Sequence, residues 1–263
     1  LNKSSKEPVK IIEHPDVKRM LMEMKSQVEA MRGLAVFTGE TIDYAKQYAH
    51  TKEGKNYLNL VSLLTPIVKS WCTDQSVSIT SLGVQVHGGM GFIEDTGAAQ
   101  YYRDSRILPI YEGTNGIQAL DLLKRKLFLE NGKTFERLLK KIRGDVKECT
   151  NCKNSEIVSM GNLLKSSIKS VESSAFWLKE VLGENPENAL AGATPFLNMF
   201  GWTLGGWIMC KSSLNSFNNK SLDDEFCKEK IDTALFFCTT YLPLAASLSS
   251  TIKFSCKTLQ RIS

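Results

Sequence analysis

Residues 15–35 read PDVKRMLMEMKSQVEAMRGLA, and this stretch decides the fold class. Its apolar side chains recur at steps of three and four residues, at Val17, Met20, Leu21, Met24, Val28, Met31, Leu34 and Ala35. That spacing places them on one face of an α-helix that packs against other helices. Pro15 and Asp16 suit the start of a helix, because proline fixes φ and an acidic side chain favours the positive end of the helix dipole. We predict a helix over residues 15–49.

The same spacing returns in the second half of the chain. It forms a seam for packing against other helices, made by Met160, Leu164, Ile168, Val171, Ala175, Leu178 and Leu182. No alternation of apolar and polar residues indicates a strand, so we predict an all-α fold. Asn131 and Gly132 are typical of a helix end. They divide the chain into a first helical unit, residues 1–131, and a second helical bundle, residues 132–263.

Between these seams, proline and glycine indicate where helices begin and end. Thr65-Pro66 either begins a second helix that runs to about residue 83 or kinks a longer helix. Residues 88–91 form a glycine-rich break. The remaining prediction is a helix, a loop and a second helix, over residues 96–106, 111–116 and 117–130.

Composition excludes several classes of protein. The chain has 263 residues and a net charge of +5 at pH 7, and no basic stripe interleaved with aromatic residues predicts a nucleic-acid partner. Its seven cysteines are irregularly spaced, which does not fit a secreted disulfide framework. Cys149 and Cys152 form a CxxC pair, but no second pair or nearby histidine completes a zinc site, so we predict no metal. Residues 1–8 are polar rather than a signal peptide, which favours a cytoplasmic protein.

Two uncharged stretches, residues 188–210 and 233–252, are long enough to cross a bilayer, which takes ~20 residues. Gly201 and Gly205 form a G-x-x-x-G spacing, which is used where membrane helices meet closely. Polar residues and prolines within the stretches instead favour central helices of a bundle: Pro195, Asn198, Pro243, Ser247, Ser249 and Ser250. We keep a membrane hairpin as an alternative to that bundle.

The region from Gln85 to Gln118 concentrates glycines, at Gly88, Gly89, Gly91, Gly97, Gly113 and Gly116. Glycine allows a backbone to approach a ligand closely or to adopt positive φ. Glu112 lies between an aromatic residue and a glycine on the predicted loop. A carboxylate next to a ring and a bare backbone is typical of a desolvated base, although most loop glutamates are solvated or cap the next helix.

Three linked segments of this region resemble one enzyme family. They read QVHGGMGFIE at 85–94, YRDSRI at 102–107 and IYEGTNGIQ at 110–118. In this order and at this spacing they are very similar to the acyl-CoA dehydrogenase family, and the resemblance is strong over residues 11–126. The sequence HPDVKRM at 14–20 resembles the subgroup with an extra C-terminal helical extension, which includes the methylmercaptopropionyl-CoA dehydrogenases.

The resemblance implies a flavoprotein of fatty acid metabolism, an oxidoreductase that uses FAD to form a double bond between the α and β carbons of an acyl-CoA. Glu112 would be the base that removes the α proton, and its backbone N–H would polarise the thioester carbonyl. Tyr111 and Gly113 would flank the thioester. Thr114 would lie near the phosphates of FAD.

The resemblance also assigns the glycine-rich turn to the cofactor. Gln85, Gly88 and Gly89 would approach the adenosine end of an FAD held mainly by another subunit, which implies a homo-oligomer. From the residues alone, Gln85 and His87 have an alternative role in bonding local backbone.

Two other positions need a separate interpretation. Arg103 and Asp104 are predicted to form a structural ion pair rather than substrate contacts. Gly116 departs from the Glu or Gln that the family often places two residues after the motif threonine, so a cofactor contact from that side chain is not expected.

Family members have an N-terminal helical domain and a middle β domain before this region, and the 263 residues contain neither. A base without an oriented substrate and cofactor does little, because positioning supplies much of the rate. We therefore expect the isolated chain to have little or no activity, and a partner chain or second copy to supply the rest of the site. The alternatives are a non-catalytic helical dimerisation module and, less favoured, the membrane hairpin.

Overall fold

The computed structural model describes residues 9–254, and every regular element in that range is helical. The all-α prediction is therefore confirmed. The described α-helices are α1 (Pro15–Gln47), α2 (Lys52–His87), α3 (Gly89–Phe92), α4 (Ala98–Ser105), α5 (Asn115–Asp121), α6 (Lys133–Thr150), α7 (Ser155–Glu184), α8 (Pro186–Ala191), α9 (Ala193–Asn218) and α10 (Asp224–Phe254). Short 3₁₀ turns lie at Ile11–Glu13, Glu94–Thr96 and Leu129–Gly132, and a π turn lies at Leu122–Lys126.

Helices α1 and α2 form a hairpin around a short turn. The hydroxyl of Thr51 accepts a hydrogen bond from the backbone N–H of Gly54 at 3.0 Å and so caps the first turn of α2. Pro66 lies buried inside α2 rather than at its start, which decides between the two predicted roles of Thr65-Pro66. The helix starts fourteen positions earlier than Pro66 because Thr51 satisfies an N–H that the helix would otherwise leave unbonded.

Helix α9 is the central element, in contact with α1, α2, α5, α6, α7 and α10. Its small residues allow this close approach. A Cβ atom built on Gly201 would lie 2.3 Å from Cγ of Trp71, and one built on Gly205 would lie 2.8 Å from the same indole. Trp71 is fully buried. The G-x-x-x-G spacing of the sequence therefore serves packing between helices inside this protein.

Among the residues described, α10 is the one helix long and apolar enough to cross a membrane, with a mean hydropathy of 1.3 over 18 residues. About 33% of that window is buried within the protein, and the side chains of Ala234, Phe237, Leu242 and Ala245 in α10 are fully or almost fully buried. A central helix of a helical bundle has the same length and composition, so α10 alone is weak evidence of a membrane span.

The hydrophobic core continues across residue 131. Leu34 and Trp71 of the first unit belong to the same cluster of buried side chains as Phe200 and Phe237 of the second. The predicted helix break is present, because the backbone turns at Glu130, Asn131 and Gly132 with φ values of 53°, 59° and 91°. The division into separate domains at residue 131 stays a prediction.

Candidate active site

The loop from Tyr111 to Thr114, here called the motif loop, has an unusual backbone. Glu112 has a φ of 56° and Gly113 has a φ of 84°, so two consecutive residues adopt the left-handed region. For a residue with a Cβ this conformation costs about 1–2 kcal/mol. Contacts around the loop must offset that cost. Thr114 then caps α5, where its hydroxyl accepts from the backbone N–H of Ile117 at 3.4 Å.

Hydrogen bonds to neighbouring elements fix the motif loop at both ends. The N–H of Tyr111 donates to the carbonyl of Ile107 at 3.1 Å, where the chain leaves α4. The carbonyl of Gly113 accepts from Nζ of Lys69 on α2 at 2.9 Å. The carbonyl of Glu112 accepts from the side-chain amide of Gln118 at 3.4 Å. The left-handed turn is therefore held by groups from three helices or their ends.

The motif loop lies on an open face of the protein. Tyr111 is 46% exposed, and Glu112, Gly113 and Thr114 are exposed as well. Residues 9–254 do not bury Glu112, so the apolar environment expected for a desolvated base does not come from this part of the chain. Within the same range the backbone N–H of Glu112 has no hydrogen-bond acceptor. A carboxylate and an N–H without an acceptor thus belong to one exposed residue.

The glycine-rich turn closes the C-terminal end of α2. Gly88 has φ 61° and ψ −144°, a conformation that favours glycine, and its N–H donates to the carbonyl of Gln85 at 3.0 Å. Gly91 packs so closely that an added Cβ would lie 2.3 Å from the carbonyl oxygen of Val84. The side chain of Gln85 and the backbone of Gly89 are exposed. The cofactor role of Gln85, Gly88 and Gly89 stays a prediction.

Two of the predicted cofactor contacts are far apart within one chain. Lys69 contacts the motif loop, whereas Gln85 lies sixteen positions further along the same helix. At a rise of about 1.5 Å per residue this separation is about 24 Å. One copy of the chain therefore does not bring Gln85 and Thr114 to the same point.

The structure contradicts the ion pair predicted between Arg103 and Asp104, and it shows which local contact His87 makes. Arg103 forms a two-pronged ion pair with Glu94, at 2.7 and 2.8 Å, and not with Asp104 as predicted. Glu94 precedes α4, and the turn at Gly97 returns the chain so that the guanidinium reaches it. His87 contacts local backbone, because its Nδ1 lies 2.8 Å from the carbonyl oxygen of Gly83. Both observations favour structural roles.

The CxxC pair is split between two environments. Cys149 is fully buried, and contact with Cys210 together with burial raises the pKa of its thiol. Cys152 is half-buried. Within residues 9–254, no group of three or more His, Cys, Asp or Glu side chains is arranged to hold a metal ion.

Sequence reasoning missed three residues beneath the motif loop. Asn115 is 8% exposed, although it was predicted to belong to the loop. Its side chain contacts Lys69 and Asp74 of α2 at 2.7 Å each. The only signal in the sequence is that polar residues interrupt an otherwise apolar part of α2. Nothing local indicates that they contact a residue more than forty positions away.

Comparison with known proteins agrees with this helical architecture. The family model described as "Acyl-CoA dehydrogenase, C-terminal domain" matches residues 2–127, and the one described as "Acetyl-CoA dehydrogenase C-terminal like" matches residues 138–263. The chain belongs to the acyl-CoA dehydrogenase family. It corresponds to the C-terminal portion of the family's members, as the linked segments of residues 85–118 imply.

Characterised relatives share this portion. The chain is 39% identical over 241 residues to 3-methylmercaptopropionyl-CoA dehydrogenase of Ruegeria pomeroyi, covering 91% of the chain and 41% of that protein. It is 28% identical over 259 residues to the broad-specificity linear acyl-CoA dehydrogenase FadE5 of Mycobacterium tuberculosis, covering 93% and 42% respectively. The chain thus spans about two fifths of the length of these relatives.

Solved structures show the same fold at low identity. An acyl-CoA dehydrogenase from Bacillus anthracis, complexed with FAD, superposes with a TM-score of 0.72 at 16% identity, over 99% of this chain and 46% of that one. Caenorhabditis elegans ACDH-11 in complex with C11-CoA superposes with a TM-score of 0.66 at 22% identity, over 90% and 39%. The helical arrangement is therefore that of the acyl-CoA dehydrogenase C-terminal region.

Proposed function

We propose that this chain forms the C-terminal part of an FAD-dependent acyl-CoA dehydrogenase and supplies its catalytic base, Glu112. Membership of the family supports the reaction class, α,β-dehydrogenation of an acyl-CoA thioester. The observation that carries the assignment is the motif loop, where an exposed carboxylate and an unbonded N–H belong to one residue.

The chemistry of Glu112 follows from that pairing. The carboxylate accepts the proton from the α carbon, while the N–H of the same residue donates to the thioester carbonyl oxygen. Negative charge develops on that oxygen as the proton leaves, and a fixed donor stabilises it most at that moment. Tyr111 and Gly113 border the same position and would contact the thioester.

Residues of this chain would contact FAD at two separate places, each of which other polypeptide would have to complete. Thr114 and the turn at Gly88 and Gly89 are exposed, and the glycine backbone leaves room for close approach, since a Cβ on either glycine would meet no atom within 4 Å. The chemistry that bound FAD would supply is a hydride acceptor for the β carbon. Residues 9–254 leave both places exposed and enclose neither of them.

Exclusion of water must therefore come from other polypeptide. Large apolar side chains are exposed between residues 90 and 117, including Phe92 at 82% and Tyr101 at 73%. Exposed apolar surface of this kind usually marks a contact with a partner. We propose that a second copy or a chain with the flavin-binding domains covers it, and that the isolated chain has little or no dehydrogenase activity.

Two measurements test these proposals. The first is turnover of an acyl-CoA by the purified chain with added FAD and an electron acceptor, which we expect to be absent. Turnover that is lost in Glu112→Gln would contradict the expected inactivity while supporting the role of Glu112. The second uses the enzyme assembled with its flavin-binding part. There, Glu112→Gln should lower turnover by roughly 10²–10⁴-fold, as for loss of a general base.

A matched control keeps the second measurement specific. Glu180→Gln makes the same chemical change at an exposed position of α7 and should leave turnover unaltered. Full activity of Glu112→Gln in the assembled enzyme would refute the assignment of the base.

The exposed apolar residues also favour a second candidate, a non-catalytic helical module that self-associates through residues 85–118. Light scattering and flavin absorbance together separate the two functions. A self-associated chain that never retains FAD, and that assembles with no flavin-binding polypeptide, favours the non-catalytic module.

A further inference from the structure

Asn115 connects the motif loop to the interior of the protein. Its amide nitrogen lies 2.7 Å from Oδ1 of Asp74, 2.9 Å from Oγ1 of Thr73 and 3.1 Å from the carbonyl oxygen of Ser70. Its backbone N–H donates to the carbonyl of Pro109 at 3.0 Å. One residue, only three positions after Glu112, thus joins α2, α5 and the segment that follows α4.

Lys69 bonds the other end of the same amide. Its ammonium group donates to Oδ1 of Asn115 at 2.7 Å and to the carbonyl oxygen of Gly113 at 2.9 Å. That carbonyl belongs to the residue immediately after Glu112. Lys69 therefore holds the second left-handed residue of the turn directly and the start of α5 through Asn115.

The two charged groups specify the orientation of the amide. An ammonium group can only donate and a carboxylate can only accept, so Lys69 requires the amide oxygen and Asp74 requires the amide nitrogen. Asp74 is half-buried, and the nearby positive charges are those of Lys69 and Arg106. Hydrogen bonds to charged groups are stronger than those between neutral groups. This arrangement resists rotation of the amide and movement of the loop above it.

We propose that Lys69 and Asn115 are positioning residues, which hold the left-handed turn at Glu112 and Gly113 and thereby fix the carboxylate and the N–H of Glu112 relative to the substrate. Neither side chain contacts the substrate in this proposal. The positioning role in catalysis depends on the proposed function of Glu112, whereas the anchoring of the loop does not.

Lys69→Met is the informative variant, because methionine keeps the apolar stem and removes the donor. Lys69→Arg is the conservative variant that retains donors and should restore part of the anchoring. Lys55→Met is the matched control, since Lys55 lies exposed on the same helix away from the loop.

Hydrogen exchange of the whole chain tests the anchoring without flavin or substrate. Lys69→Met should raise the exchange rate of the backbone amides of Tyr111 and Asn115 by about tenfold or more, as expected for loss of hydrogen bonds from a charged donor. Amides in the middle of α9 should keep their rates. We expect a smaller effect in Lys69→Arg and none in Lys55→Met.

Turnover in the assembled enzyme tests the positioning role. Lys69→Met should lower kcat by roughly tenfold to a hundredfold with a smaller change in KM, because misplacement of about 1 Å can cost 10²-fold. Lys69→Arg should recover part of that loss in kcat. If Lys69→Met and Lys69→Arg unfold at the same temperature, a purely structural role of Lys69 would not explain this difference in kcat.

Each failure has a distinct signature. Unchanged exchange at Tyr111 and Asn115 in Lys69→Met overturns the anchoring. Faster exchange with unaltered kcat, in an enzyme that Glu112→Gln inactivates, overturns the positioning role only. Full turnover of Glu112→Gln overturns the proposed function and the positioning role with it, and leaves the exchange result standing.

Discussion

Replacement of Gly201 by alanine tests the packing on which the core depends. The added Cβ would lie 2.3 Å from Cγ, 2.6 Å from Cδ1 and 2.7 Å from Cβ of Trp71. Carbon atoms in contact are normally about 3.5–4.0 Å apart, so α9 or the indole must move by more than about 1 Å. Trp71 is fully buried, and its Cβ is fixed to the backbone of α2, so no flexible end can yield.

The expected cost follows from two opposing effects. Overpacking a well-packed core, including the backbone shifts that it forces, costs about 1–3 kcal/mol and occasionally more. Alanine favours a helix over glycine by about 0.8–1.0 kcal/mol, which offsets part of that cost. Because the overlap at 2.3 Å is severe, the upper half of the overpacking range applies, and after this offset we expect Gly201→Ala to lower the free energy of unfolding by about 1–2 kcal/mol. For a chain of this size the corresponding decrease in Tm is roughly 2–8 °C.

Urea unfolding followed by circular dichroism measures this change. The control is Gly144→Ala in α6, where the added Cβ would meet no atom within 4 Å. At that position the substitution only lowers the conformational entropy of the unfolded chain and raises the helix propensity. We expect it to raise the free energy of unfolding by about 0.4–1 kcal/mol. If Gly201→Ala were as stable as Gly144→Ala, the close crossing of α2 and α9 would be wrong.

Three further changes test local features. Asn154→Ala removes the cap of α7 and should cost about 1 kcal/mol in urea unfolding. The hydrogen bond from Arg137 lowers the pKa of Glu130 to about 2. The ionised carboxylate of Glu130 therefore stabilises the folded protein fully above the unfolded pKa of about 4.3, and this stabilisation is lost as pH falls towards 2. Glu130→Gln should therefore lose less stability than the unaltered protein over that range of pH. Tyr241→Phe leaves the amide of Gln27 without its acceptor and should lower the free energy of unfolding by about 1–3 kcal/mol.

The first helix shows how far a local pattern extends. The predicted start at Pro15 agrees with the structure, because proline at the first position and the apolar spacing both act within one turn. The second helix shows the limit. Thr65-Pro66 has the sequence of a helix start, but burial of Pro66 in the core stabilises a continuous α2 that begins at Lys52.

The candidate site divides in the same way. The sequence identified the motif loop and Glu112, because glycines and the linked segments of the family lie close together in the chain. It did not identify Lys69 and Asn115 as partners, since 46 positions separate them and each alone is an ordinary polar residue. The pairing predicted for Arg103 was wrong for a related reason, because the turn at Gly97 decides which carboxylate it meets.

The sequence by itself determined the helical class, the position of the motif loop and the family, because periodicity and short motifs are properties of neighbouring residues. Only the tertiary structure decided that one core runs across residue 131, that Glu112 is exposed, and that Lys69 and Asn115 support its loop. These features depend on contacts between residues distant in the chain. Such contacts form only when complementary surfaces such as Gly201 and Trp71 pack together.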